Sequence, residues 1–420
     1  MEATAHRIPP EAWKTAVLGG MASYLDGGAL VTGGIALSLS MASFGMTEWD
    51  LGIMSGMLTG GLALGALLGG WLGDRFGRKR VLSIDLAVLA VGLALNMVAP
   101  HTAMLYVGIA ITGLAMGTDL PPSIALVAES APRNHRGKLV GLSQLLWVAG
   151  GAIAIIITTV LANLQVPDSV NARALWAHLF ILTVVIWVLR RRLPESQEWL
   201  EEVGGDVSSA VGRGRAPRSG AVQRGQLRQL LPHLIPLLVV GAFYTIGNLA
   251  PNTGGQFGFF ILTHVTGLPV ATTSSILLAM MPLGLLLGVA FMRVVDTRWR
   301  YPVMVAAGLL QTFAYAVPAM LGVTATTYLI GSFAGITGAA FIGEGMYKVR
   351  VQEIFPTAVR ATAQGATIFT CRILTALFAL VTPALATYSL TALMWMLAGL
   401  SLTTLALAVW VNRLKSVQST

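Results

Sequence analysis

Five ionisable residues stand inside stretches otherwise built of apolar and hydroxylic side chains: Asp26, Asp119, Glu344, Lys348 and Arg372. Two kinds of chemistry fit them. A carboxylate in a dry cavity can load and release a proton near neutral pH, so Asp26, Asp119 and Glu344 are proton-carrier candidates. A guanidinium stays charged at any physiological pH, and its planar fork of donors matches a carboxylate with two parallel hydrogen bonds. Leaving Arg372 in hydrocarbon costs at least ~2.5 kcal/mol on the most lenient scale. It therefore needs a partner: an anionic substrate, or an internal acid such as Glu344 or Asp119. Lys348 would add positive potential. Glu344 and Lys348 are also four residues apart on one helical face, where they can neutralise each other.

The elements that must hold these charges follow from composition. Of 420 residues, 55% are hydrophobic and 11% charged, against about 25% charged in an ordinary soluble domain. The chain reads as a polytopic membrane protein. Its net charge of +9 does not mark a nucleic-acid partner. Nearly all of the 27 Lys and Arg fall at the termini or in every second loop, the asymmetry of cytoplasmic loops. One cysteine, Cys371, excludes an intrachain disulfide. The histidines in or beside loops, His101, His135, His233 and His264, lack metal-ligand spacing, and no phosphate-binding loop or hydrolytic constellation is visible. The N-terminus lacks the basic region of a signal peptide, so the first apolar stretch is expected to remain as a membrane helix.

Apolar runs predict twelve helices near 14–43, 50–73, 81–99, 102–130, 138–163, 173–190, 232–262, 271–293, 302–322, 326–353, 361–383 and 388–411. At 1.5 Å per residue, Asp26, Asp119 and Arg372 lie roughly 17–20 Å inside their spans, a shared depth that implies one polar cavity. Asp119 precedes Pro121 and Pro122, which remove two helix donors and free carbonyls one turn earlier. On the seventh span Tyr244, Asn248, Asn252 and Gln256 recur every four residues as one polar stripe. The stripe suits either a polar ligand or helix–helix hydrogen bonding. Pro251 and the following "TGGQFG" predict loosening at that helix's outer end.

The hydrophilic stretch 193–230, rich in Gly, Ser and Arg, reads as a cytoplasmic linker between six-helix bundles at 1–192 and 231–420. An internal repeat supports the division. Glu129, Pro132 and Arg136 recur as Glu353, Pro356 and Arg360, each 224 positions later, and Asp74 maps onto Asp296.

"GDRFGRKR" after the second span resembles the loop signature of the major facilitator superfamily. "AESAPRNHRG", "PESQEWL" and "QEIFPTAVRA", after the fourth, sixth and tenth spans, resemble the branch of sugar porters, metabolite:proton symporters and organic-ion transporters. The resemblance covers the whole chain. It implies an all-α fold of two pseudo-symmetric six-helix bundles, with both termini cytoplasmic. It also implies that Asp74, Arg75, Arg78, Glu129 and Arg136, with Asp296, Glu353 and Arg360 in the second half, form a cytoplasmic latch. Asp26 matches the first-span aspartate of sugar porters and aromatic-acid symporters, and Gln144 a fifth-span glutamine that contacts sugar. The fourth-span arginine of sugar porters is missing, and Lys348 replaces the tryptophan that packs on the sugar ring. Arg372, twelve residues after Arg360, is similar in placement to an arginine that contacts the substrate in organic-anion transporters.

The expectation is a proton-coupled secondary transporter of a small organic anion, a carboxylate, and not an enzyme. A sugar or polyol symporter is the first alternative, and a proton-driven exporter of amphipathic compounds the second. Arg372, Lys348, Gln144 and the stripe would bind substrate. No cofactor beyond the proton gradient is expected; the partners are protons, the substrate and the lipid bilayer, and the protein is expected to act as a monomer.

Overall fold

The structure, a computed structural model, describes residues 9–76, 78–130, 136–191, 233–295, 297–355 and 357–414, and leaves a few helical side chains within them undescribed. The described residues form helices and no strand, and twelve segments are long and apolar enough to cross a membrane. The linker expected over 193–230 lies outside the described residues.

The chain divides into two compact units. The first contains α1 (Pro10–Phe44), most of α2 (Glu48–Phe76), α3 (Arg78–Val98), α4 (Thr102–Ser130), α5 (Arg136–Asn163) and α6 (Asp168–Arg190). Its centre is α1, buried on nearly every side. Pro10 suits the first helical turn, and Gly45, at φ 61°, ends the helix in the left-handed conformation. Glycines let α1 meet α5 backbone to backbone. A Cβ on Gly27 would lie 2.2 Å from the Trp147 carbonyl, and one on Gly150 would lie 2.1 Å from that of Tyr24.

The second unit contains α7 (Leu234–Phe260), α8 (Val270–Val294), α9 (Arg300–Leu321), α10 (Ala325–Ile342), α11 (Glu344–Ile354), α12 (Thr357–Tyr388) and α13 (Leu390–Arg413). Its core gathers Val240, Phe243, Tyr244, Tyr347, Phe355 and Val411.

Three features differ from expectation. Thr47–Gly56, the start of α2, groups with the second unit. There Gly52 approaches α12 so closely that a Cβ would lie 2.1 Å from the Leu380 carbonyl. The single helix expected over 326–353 is broken at Gly343, whose ψ of −141° leaves helical geometry. Glu344 thereby becomes the first residue of α11, where the helix dipole favours a carboxylate. Finally, α7 runs unbroken through Pro251 and loosens only after Phe260, in a π-helical turn at Ile261–Val265.

Candidate functional site

In the first unit, Asp26 is buried on α1, and its Oδ2 accepts a 2.8 Å hydrogen bond from Trp147 Nε1 of α5. The glycine contact between the two helices brings that indole within reach. Asp119 is also buried, but its partner is not the Arg372 considered from sequence. Arg190, the last residue of α6, folds back so that Nη1 meets Asp119 Oδ1 at 2.5 Å. Ser123 Oγ donates to the same oxygen at 3.1 Å. Arg190 also donates from Nε to the Leu18 carbonyl at 2.9 Å and from Nη2 to that of Gly19 at 3.3 Å. The helix α4 stays continuous through Pro121 and Pro122. The Thr118 carbonyl, freed by the second proline, faces α2 at Gly69, where a Cβ would lie 2.2 Å away.

Two residues of this cluster escaped the sequence reading. Arg190 closes an apolar run, where an arginine reads as an interface residue. Asp85 lies seven residues into α3, yet it is buried and within electrostatic reach of Asp119 and Arg190.

In the second unit the α7 stripe bonds mainly within the protein. Tyr244 is buried, its ring stacked on Tyr347 of α11 with centroids 3.8 Å apart. The Tyr347 hydroxyl meets Thr367 Oγ1 of α12 at 2.6 Å. Asn248 donates to the Tyr244 carbonyl at 2.8 Å, Asn252 to Gln256 Oε1 at 3.4 Å, and Gln256 to the Ser55 carbonyl at 3.4 Å. Asn248 and Asn252 remain only partly buried. Lys348 Nζ pairs with Glu344 Oε1 at 2.7 Å, with both side chains about half exposed. Arg372 is partly buried on α12, and its charge acts on Glu344 and Tyr244. The stripe, the ion pair and Arg372 thus belong to one neighbourhood formed by α7, α11 and α12.

At the end of α11, Glu353 takes a bidentate clasp from Arg300 of α9, at 2.7 and 2.9 Å, and a 2.5 Å bond from Arg350. Arg350 Nη2 also bonds the carbonyls of Val411 at 2.6 Å and Leu414 at 3.2 Å. Burial pushes the Glu353 carboxyl up, but the two arginines more than offset it and hold it below the usual carboxylate range. Arg300 and Arg350 were not singled out from sequence; the repeat exposed Glu353 alone. Asp296 lies outside the described residues, as do the side chains of Asp74, Arg75, Arg78, Glu129, Arg136, Gln144 and Arg360.

Residues 16–380 match the family model described as Major Facilitator Superfamily. The minor myo-inositol transporter IolF of Bacillus subtilis is 27% identical over 381 residues, 89% of this chain and 84% of that protein. The sialic acid transporter NanX of Escherichia coli is 23% identical over 304 residues, 70% of this chain and 68% of that protein. An inward-open structure of the xylose transporter XylE from E. coli shares the fold, with a TM-score of 0.77 at 16% identity over 97% of this chain and 98% of that one.

Proposed function

This chain belongs to the Major Facilitator Superfamily of small-molecule membrane transporters, and on that premise we propose that it carries a polyol or neutral sugar together with protons by alternating access. The carboxylate expectation gives way to its polyol alternative for one structural reason above others. Lys348 had counted against a sugar, and it is paired with Glu344 at 2.7 Å. The pair neutralises the positive charge that Lys348 would have offered an anion. What remains nearby are neutral amides, Asn248 and Asn252, whose donor and acceptor pairs suit hydroxyl groups. The name of IolF, a transporter of myo-inositol matched along nearly the whole chain, supports the same reading. Asp26 and Asp119 supply carboxylates for proton movement, the proton gradient supplies the energy, and the basic loops and both termini face the cytoplasm.

A second reading, transport of an organic acid, keeps support from Arg372, a fixed cation on α12 within electrostatic reach of Tyr244 and Glu344, and from the name of NanX. Thermal unfolding of the purified protein with inositols, pentoses and sugar acids separates the two, because a ligand that binds only the folded state raises the melting temperature. Stabilisation by polyols that persists in Arg372→Ala is the expected result. Stabilisation by acids alone, lost in Arg372→Ala, would replace the first reading with the second.

A further inference from the structure

Among the described residues of the first unit, one group of buried charges does not balance. Asp85 of α3, Asp119 of α4 and Arg190 of α6 are 6%, 2% and 3% exposed. Arg190 gives Nη1 to Asp119 and spends Nε and Nη2 on the α1 carbonyls of Leu18 and Gly19. Oδ2 of Asp85 and Oδ2 of Asp119 are buried with no hydrogen-bond partner among the described residues. If both acids were ionised, two carboxylates would face one guanidinium. The surplus negative charge would sit where an uncompensated ion costs several kcal/mol, and like charges that share a site do not both stay ionised. Arg190 cannot adjust, because its guanidinium keeps its proton. A single added proton brings the cluster to neutrality and turns one stranded acceptor into a donor.

We propose that Asp85, Asp119 and Arg190 form a proton-binding site inside the first unit, holding one exchangeable proton on the two carboxyls. The groups that face it among the described residues are few. From α3 comes Asp85, from α4 Asp119 with Ser123, from α6 Arg190, and from α1 the two carbonyls. Asp85 lies roughly 10 Å along α3 from Arg78, and Arg190 is the end of α6. Asp119 stands deeper, 11 residues from the end of α4 at Ser130, so the cluster reaches from the end of α6 into the interior of the unit. Losing the proton leaves the surplus charge behind and favours opening of the helices around it, which ties protonation to their packing. That this proton drives transport rests on the proton-coupled reading above; its residence on the acid pair does not.

Infrared difference spectroscopy of the purified full-length protein, taken between acid and alkaline pH, tests the residence directly. Wild-type protein is expected to show a buried carboxylic-acid band that titrates and is lost in Asp85→Asn or Asp119→Asn. Asparagine is a neutral near-isostere, and melting curves confirm that the variants are folded. Spectra of both folded variants identical to wild type would overturn the proposal. Should both variants fail to fold, Asp85→Glu is used, for which a shifted band is expected and an unshifted one overturns it. Proton-driven accumulation of substrate in proteoliposomes is measured separately. Its absence in wild type would remove the proton-coupled reading and leave the infrared result to decide the site.

Discussion

The two units solve opposite versions of one electrostatic problem. In the first, two acids, Asp85 and Asp119, share Arg190 inside the helix packing. In the second, two arginines, Arg300 and Arg350, share Glu353 at a helix end. Surplus negative charge can be removed by a proton, but surplus positive charge on arginine cannot. The second cluster instead spreads its excess over the carbonyls of Val411 and Leu414 and leaves Glu353 24% exposed. The acid-rich cluster can therefore reach neutrality by taking up a proton, while the arginine-rich one keeps its net positive charge and clasps α9, α11 and the end of α13.

The strongest way to break this comparison is to remove the shared residue of the buried cluster. Arg190→Ala strands Asp119 and unties α6 from α1, and breaking a buried pair from one side costs about 3–5 kcal/mol. A large fall in melting temperature, or failure to recover folded protein, is expected. Arg300→Ala should cost less, about 2 kcal/mol, because Arg350 still holds Glu353. Equal losses in the two variants would show that exposure and redundancy make no difference here.

Why one cluster was partly legible in the sequence and the other was not follows from the same contrast. Glu353 was found because it repeats Glu129 at a fixed offset, and the spans because about 20 apolar residues in a row have few other uses. Asp85 and Arg190 sit near span ends, where a charge is ordinarily an interface residue, and only the packing of α3, α4 and α6 reveals that they are buried. Arg300 looked like one more basic loop residue in "TRWRYP". The break at Gly343 was hidden as well, because a lone glycine in an apolar run carries no more signal than the many glycines at helix contacts. The pairing of Lys348 with Glu344 was readable from spacing alone, yet its consequence for substrate charge needed the pair to be seen closed.

A smaller effect sharpens the clasp. The arginines hold the Glu353 carboxyl below its ordinary range despite its partial burial. Its contribution to stability is thus fully present above the unfolded carboxylate pKa and is lost as pH falls through the lower, folded value. Melting temperature should decline on acidification through this range, and the decline should be shallower in Glu353→Gln. An identical acid slope in that variant would assign the loss to other carboxylates.

The weakest of the three ion clusters is balanced one to one. Glu344 and Lys348 are half exposed on the first turns of α11, with the acid on the N-terminal side, the favourable order for both the pair and the helix dipole. Exposed pairs at this spacing contribute about 0.3–0.5 kcal/mol. A double-mutant cycle of Glu344→Gln and Lys348→Met, read by thermal unfolding, should return a coupling energy of about that size. A value several times larger would mean that the pair works in surroundings as dry as those of Asp119 and Arg190. Exposure would then no longer separate the clusters, and the sign of the surplus charge alone would distinguish the site with a carboxylate to spare from the two without one.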